Sequence, residues 1–201
     1  MNKSKQSEKQ RPTVFIGSST EGLKVAKNIQ VLLDHACEVS IWSQGIFGLG
    51  EGSLESLVKS LDLFDFAILV LTPDDLIETR GNVKQAPRDN VLLELGLFIG
   101  ALGRDRSFAV YDRNAKLHLP SDLAGVTMAT YTIHQSGNLR SSLGAASTLI
   151  EDTIDRLGKR HKLDSQYSNQ TSYSQTVEIE ALTNQVKEMS QMLRQLVENF
   201  Q

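Results

Sequence analysis

Between Arg88 and Gly100 the chain reads RDNVLLELGLFIG. Val91, Leu92, Leu93, Leu95, Leu97, Phe98 and Ile99 are apolar, and one carboxylate, Glu94, stands among them. A carboxylate taken out of water is costly unless it is paired, protonated or set at a cleft. Two readings follow. Glu94 acts on a ligand, or it pairs with a basic residue such as Arg88 or Arg104. Helical spacing puts Asn90 one turn before Glu94 and Phe98 one turn after it. Pro87 followed by Asp89 marks a helix start, with Asp89 or Asn90 as candidate N-cap. Gly96 and Gly100 form a small-residue notch elsewhere on the helix, suited to close packing.

Two further stretches have residue types suited to a site. GSSTEG, residues 17–22, joins a strand to a helix with hydroxyl residues, where an anion can meet helix N–H groups. It is neither GxGxxG nor a P-loop. A capping box, with Ser18 accepting from the backbone and Glu21 reaching back, explains the string equally well. IWSQGIFGLGEGS, residues 41–53, contains the single tryptophan, Trp42, and four glycines. It reads first as a flexible connection with Trp42 as a core anchor, and second as a loop that approaches a ligand or a neighbouring subunit. His35, His118, His134 and His161 show no metal-ligand spacing, so no metal site is expected. Cys37 has no CxxC partner and reads as core. No GxSxG elbow is present.

The elements that must position these residues alternate. TVFIG (13–17), EVSIW (38–42), FAILVL (66–71), FAVY (108–111) and MATYTI (128–133) read as strands. Helical patterns occupy 20–34, 53–63, the Glu94 segment and about 138–157. A polar loop is expected from Thr72 to about Arg88. Continuous apolar strands alternating with helices predict a parallel sheet covered on both faces. The fold class is therefore α/β, a flavodoxin-like, doubly wound, five-stranded parallel sheet over residues 12–158. Such sheets bind ligands beyond the carboxyl ends of their strands.

The chain has 201 residues, 40% hydrophobic and 22% charged, with net charge -3. The acidic balance argues against direct nucleic-acid binding, which needs a basic face. A single cysteine excludes an intrachain disulfide and suits a reducing, cytoplasmic setting. No run approaches the ~18 apolar residues of a membrane helix, and the polar start lacks a secretory h-region. Residues 1–11 read as a disordered tail and 159–176 as a polar linker. Residues 177–201 read as a C-terminal amphipathic or coiled-coil helix.

VFIGSSTEG, VSIWSQGIFGLGEGSLESL, FDFAILVLTPDDL and APRDNVLLELGLFIGALGR, taken together and in order, resemble the bacterial TIR-like domains of anti-phage signalling systems. The pattern is nearest to TIR effectors fused to STING or to cyclic-nucleotide-binding (Pycsar) modules. The resemblance covers about residues 12–158. It implies cleavage of NAD+ at the nicotinamide–ribose bond, with NAD+ as substrate and no resident cofactor. It places the catalytic glutamate at Glu94. It also implies that Gly17, Ser18 and Ser19 line the pocket, that Trp42 and Phe47 supply aromatic contacts, and that Arg88, Asp89 and Asn90 shape its rim. Self-association through the 43–53 loop, and a separate sensor protein as partner, are further implications. The alternatives are a scaffold TIR domain without activity and another N-glycosidic enzyme, such as a nucleoside deoxyribosyltransferase-like protein. A pure scaffold has no need to bear the cost of Glu94.

Ile179, Leu182, Val186, Met189, Leu193, Leu196 and Phe200 alternate spacings of three and four. That is a seam of about three heptads, which reads as a self-associating helix or as a helix docked on its own domain. Self-association predicts that deleting 177–201, or Leu193→Asp, lowers the oligomeric state measured by light scattering. An unchanged oligomeric state would mean that the helix docks on its own domain.

Overall fold

A computed structural model describes residues 10–45, 54–79, 81–123 and 125–160. The elements in chain order are β1 (Thr13–Ser18), α1 (Leu23–Leu33), β2 (Glu38–Ile41), α2 (Leu54–Ser60), β3 (Phe66–Val70), β4 (Asp75–Thr79), β5 (Asn82–Ala86), α3 (Asp89–Leu102), β6 (Ser107–Asp112), β7 (Thr127–Tyr131) and α4 (Leu139–Leu157). Five of the strands form one sheet in the order β2-β1-β3-β6-β7, parallel throughout. This is the expected doubly wound sheet. The chain steps from β1 to β2 on one side and then crosses to β3 on the other. The switch in strand order, where such folds open a crevice, therefore lies between β1 and β3.

Strand periodicity divides the core. Val14, Ile16, Phe66, Ile68, Val70, Phe108 and Val110 face α1 and α4. Phe15, Ala67, Leu69 and Ala109 face α2 and α3. Alternate residues point to opposite faces, so a central strand buried on both sides must be apolar at every position. The wholly buried β3 meets that demand.

The expected polar loop after Thr72 is a correction. It contains an antiparallel hairpin, with β4 paired to β5 from Asp75↔Ala86 to Thr79↔Asn82. Gly81, next to the last pair, takes a positive φ of 76°, a backbone conformation that glycine adopts without a steric penalty. Its polar and exposed residues give no buried-strand signal. The Gly96/Gly100 notch is a second correction. Both glycines are exposed and face open space rather than a packed neighbour.

At the amino-terminal end of the sheet a buried acid ties three segments together. Asp65 is 2% exposed. Its carboxylate accepts from the Thr13 N–H at 2.9 Å, the Thr13 hydroxyl at 3.1 Å and the Arg160 N–H at 2.8 Å. The Arg160 guanidinium donates onward to the Ala101 carbonyl at 2.9 Å and to Asp62 at 3.0 Å. Lys159 and Arg160, expected at the start of a linker, are thus placed against the domain, as is Arg11, which donates to the Asp34 carbonyl. The remainder of the expected tail, linker and C-terminal helix lies outside the described residues. Asp65→Ala strands buried donors, so it is expected to cost about 3 kcal/mol of folding stability by urea denaturation. A loss within about 0.5 kcal/mol, the usual range for a surface change, would contradict this role.

Candidate active site

Glu94 is positioned by an aromatic contact one turn away. Phe98 stacks on Phe15 with ring centroids 4.7 Å apart and planes 27° apart. Phe64 closes the group at 5.4 Å from Phe15 and 6.4 Å from Phe98. From Phe98 back to Glu94 the helix rises about 6 Å, and from Phe15 forward to Gly17 the strand advances about 6.6 Å. The two steps match, so the Glu94 carboxylate lands over Gly17. A β-carbon at Gly17 would sit 2.8 Å from Glu94 Oε2 and 3.0 Å from the Phe15 ring, and would also strike Leu69. The glycine is required by this close approach, not by its φ. Gly17 pairs with Leu69 across β1 and β3, so the acid sits at the switch point.

Among the described residues no hydrogen bond or ion pair reaches the Glu94 carboxylate. The pairing expected with Arg88 or Arg104 is therefore not found. Arg88 donates to Glu21 at 3.0 Å instead, and Arg104 lies against Gly125. Burial pushes the Glu94 carboxyl up from 4.5 to about 7. Taking the acid out of water penalises its charged form, and no nearby cation offsets the penalty.

The turn after β1 is held by directed hydrogen bonds. The Thr72 hydroxyl donates to Asp74 Oδ2 at 2.7 Å. Its single hydrogen is thereby used, so the 2.9 Å contact between Ser19 and Thr72 has Ser19 as donor. Ser19 Oγ in turn accepts from the Gly22 N–H at 3.2 Å. The Trp42 indole N–H donates to Ser18 Oγ at 3.0 Å. Trp42 also packs against both apolar clusters, as the expected core anchor would.

The expected capping box is corrected. Ser18 belongs to β1, Ser19 accepts one residue later, and Glu21 is engaged by Arg88. The N-cap of α3 is Arg88 with no side-chain cap, rather than Asp89 or Asn90. Asp89 accepts locally from the Asn90 N–H at 2.7 Å, and both side chains are exposed at the start of α3. The structure thus brings Gly17, Ser18, Ser19, Trp42 and Glu94 together, with Arg88 joined through Glu21. Phe47 and residues 46–53 of the expected assembly loop lie outside the described residues. Thr72 and Asp74 are additions that sequence reasoning missed. Their position at the end of the most apolar strand was the available signal. Cys37 is fully buried, and burial pushes its thiol up to about 12, which suits a core residue and not a nucleophile.

The raised Glu94 value has a signed consequence for folding. Between pH 4.5 and about 7 the unfolded chain releases this proton and the folded chain retains it. Stability therefore falls as pH rises through that window, by at most about 3 kcal/mol. Glu94→Gln is expected to match the parent near pH 4.5 and to exceed it in stability at pH 8. Parallel stability profiles for the two proteins would show that burial imposes no such cost.

A family model described as CAP12/Pycsar effector protein, TIR domain, matches residues 13–132. Pycsar effector protein PaPycTIR of Pseudomonas aeruginosa is 43% identical over 149 residues, covering 73% of this chain and 48% of that protein. CD-NTase-associated protein 12 of Lachnospiraceae bacterium (strain RUG226) is 39% identical over 148 residues, covering 73% and 45%. Pycsar effector protein BcPycTIR of Burkholderia cepacia is 38% identical over 146 residues, covering 72% and 48%. The chain spans about half the length of the curated relatives it matches. Among solved structures, the IL-17 receptor B SEFIR domain aligns with a TM-score of 0.42 at 14% identity, covering 68% of this chain and 96% of that one. With the matched region running from the first residue of β1 to just past β7, the chain belongs to the CAP12/Pycsar effector TIR-domain family.

Proposed function

We propose that this chain cleaves NAD+ at the nicotinamide–ribose bond, as the TIR effector of an anti-phage defence system. The observation that supports this best is Glu94. It is half-buried and unpaired among the described residues, and it stands over Gly17 at the switch point of the sheet. Departure of nicotinamide leaves positive, oxocarbenium character on the ribose. A fixed carboxylate beside it stabilises that charge, and more strongly in a partly dehydrated wall than in water. Ser18, whose oxygen accepts from Trp42, keeps its own hydrogen for a ribose oxygen. Ser19 and Thr72, already committed to each other, hold the turn in place. NAD+ enters as substrate and not as a resident cofactor.

Self-association is part of the proposal, through the 43–53 loop and residues 177–201, because assembly would raise the local concentration of domains. The names of the relatives, Pycsar effector protein and CD-NTase-associated protein, support activation as an effector together with a separate sensor protein. Among the described residues no helix is long and apolar enough to cross a membrane.

The test is incubation of concentrated protein with NAD+ and chromatography for nicotinamide. Glu94→Gln is expected to lose about 10²-fold or more of the rate if the carboxylate supplies electrostatic stabilisation. In the parent, kcat/KM is expected to rise with pH through about 7, since the ionised acid is the active form. Full activity in folded Glu94→Gln would refute the assignment.

A further inference from the structure

Glu21 has no part in the role expected of it as a capping residue. Its carboxylate accepts from Arg88 Nη2 at 3.0 Å. The pair joins the turn that follows β1 to the start of the helix that carries Glu94. Both side chains are about half exposed, 45% for Arg88 and 50% for Glu21. An exposed pair of this kind contributes little to folding. Among the described residues only one guanidinium nitrogen is engaged, by one carboxylate oxygen. The planar fork of arginine matches two oxygens of a phosphate, so the contact with Glu21 leaves most of its donor capacity unused.

On the reading of Glu94 as the acid beside the nicotinamide ribose, the substrate's diphosphate lies one ribose away from the scissile bond. Arg88 precedes Glu94 by six residues, about 9 Å of helix rise. We propose that Arg88 holds the diphosphate of the substrate and that Glu21 is the counter-ion the diphosphate must displace. Arg88 then selects dinucleotides over nucleosides. Glu21 occupies the arginine in the empty site and repels anions that bring no further contacts. The inference rests on the NAD+ reading, and its test does not require NAD+ to be cleaved.

The probes are ADP and adenosine, titrated calorimetrically into the full chain, Glu21→Gln and Arg88→Ala. Removing the competing carboxylate is expected to tighten ADP binding about three- to tenfold at low salt. Arg88→Ala is expected to weaken ADP binding at least about tenfold, as loss of a charge-assisted bidentate contact should. Adenosine should respond to neither change. The gain in Glu21→Gln should vanish in about 0.5 M salt, where exposed charges are screened. A purely structural role for Glu21 would shift thermal stability and leave the ADP-to-adenosine split unmoved. Unchanged or weaker ADP binding by Glu21→Gln, or equal shifts for ADP and adenosine, overturns the proposal. If NAD+ is cleaved while ADP ignores both substitutions, this inference fails and the NAD+ reading stands. If ADP responds as expected but NAD+ is not cleaved, the diphosphate site stands and the NAD+ reading fails.

Discussion

The stack of Phe98 on Phe15 is the contact on which the site depends. Both rings are fully buried, and each large aromatic side chain contributes several kcal/mol of apolar burial at a fixed relative geometry. The stack fixes where α3 lies along β1. Once that is set, the position of Glu94 follows from the helix rise and the strand rise alone. An acid one position earlier or later would turn about 100° around the helix and miss the strand end. Gly17 completes the arrangement by having no β-carbon. An aliphatic there would satisfy the strand pattern better and would displace the carboxylate.

The rim is built from weaker interactions that act on direction rather than on stability. The path from the Gly22 N–H through Ser19 and Thr72 to Asp74 uses each hydroxyl once as donor and once as acceptor. Neither hydroxyl is left free to rotate, which fixes the turn after β1 against the turn after β3. The hairpin β4–β5 begins where that path ends and finishes just before Arg88. Its two roots are thus tied to the same turn, by Ser19–Thr72 at one end and by Glu21–Arg88 at the other. His118 N–H donates to the Gln85 carbonyl at 2.7 Å and holds β5 to the segment before β7.

The sheet was legible in the sequence because burial on both faces leaves an unambiguous mark. FAILVL has no polar position, and only a central strand explains so short a run. Glu94 was legible for the opposite reason, as the one position in its helix that burial does not explain. The hairpin was not legible. Leu76 and Val83 are 71% and 66% exposed, so its strands carry no core-facing alternation, and the Gly81 turn was the remaining signal. The Glu21–Arg88 pair joins residues 67 positions apart, which local patterns do not report. The capping assignments failed because the N-caps of α1 and α3 are Gly22 and Arg88 with no side-chain cap bond, so neither position carries the Ser, Thr, Asp or Asn by which a cap is read.

Asp65 and Glu94 are both withdrawn from water, and the chain treats them differently. Asp65, at the amino-terminal end of the sheet, receives two backbone N–H groups and a hydroxyl. Glu94, at the carboxyl end, receives none of these among the described residues, and its carboxyl is pushed up accordingly. The same small domain therefore has the means to satisfy a buried carboxylate and applies them to one acid only. The side chains of Phe15 and Leu69, which meet the Glu94 carboxylate at Gly17, offer no donor that would neutralise it. A carboxylate already matched by donors has little left to offer a developing cation. One left unmatched keeps its full electrostatic effect for a ligand that carries positive charge, which is the role proposed for Glu94 in the crevice between β1 and β3.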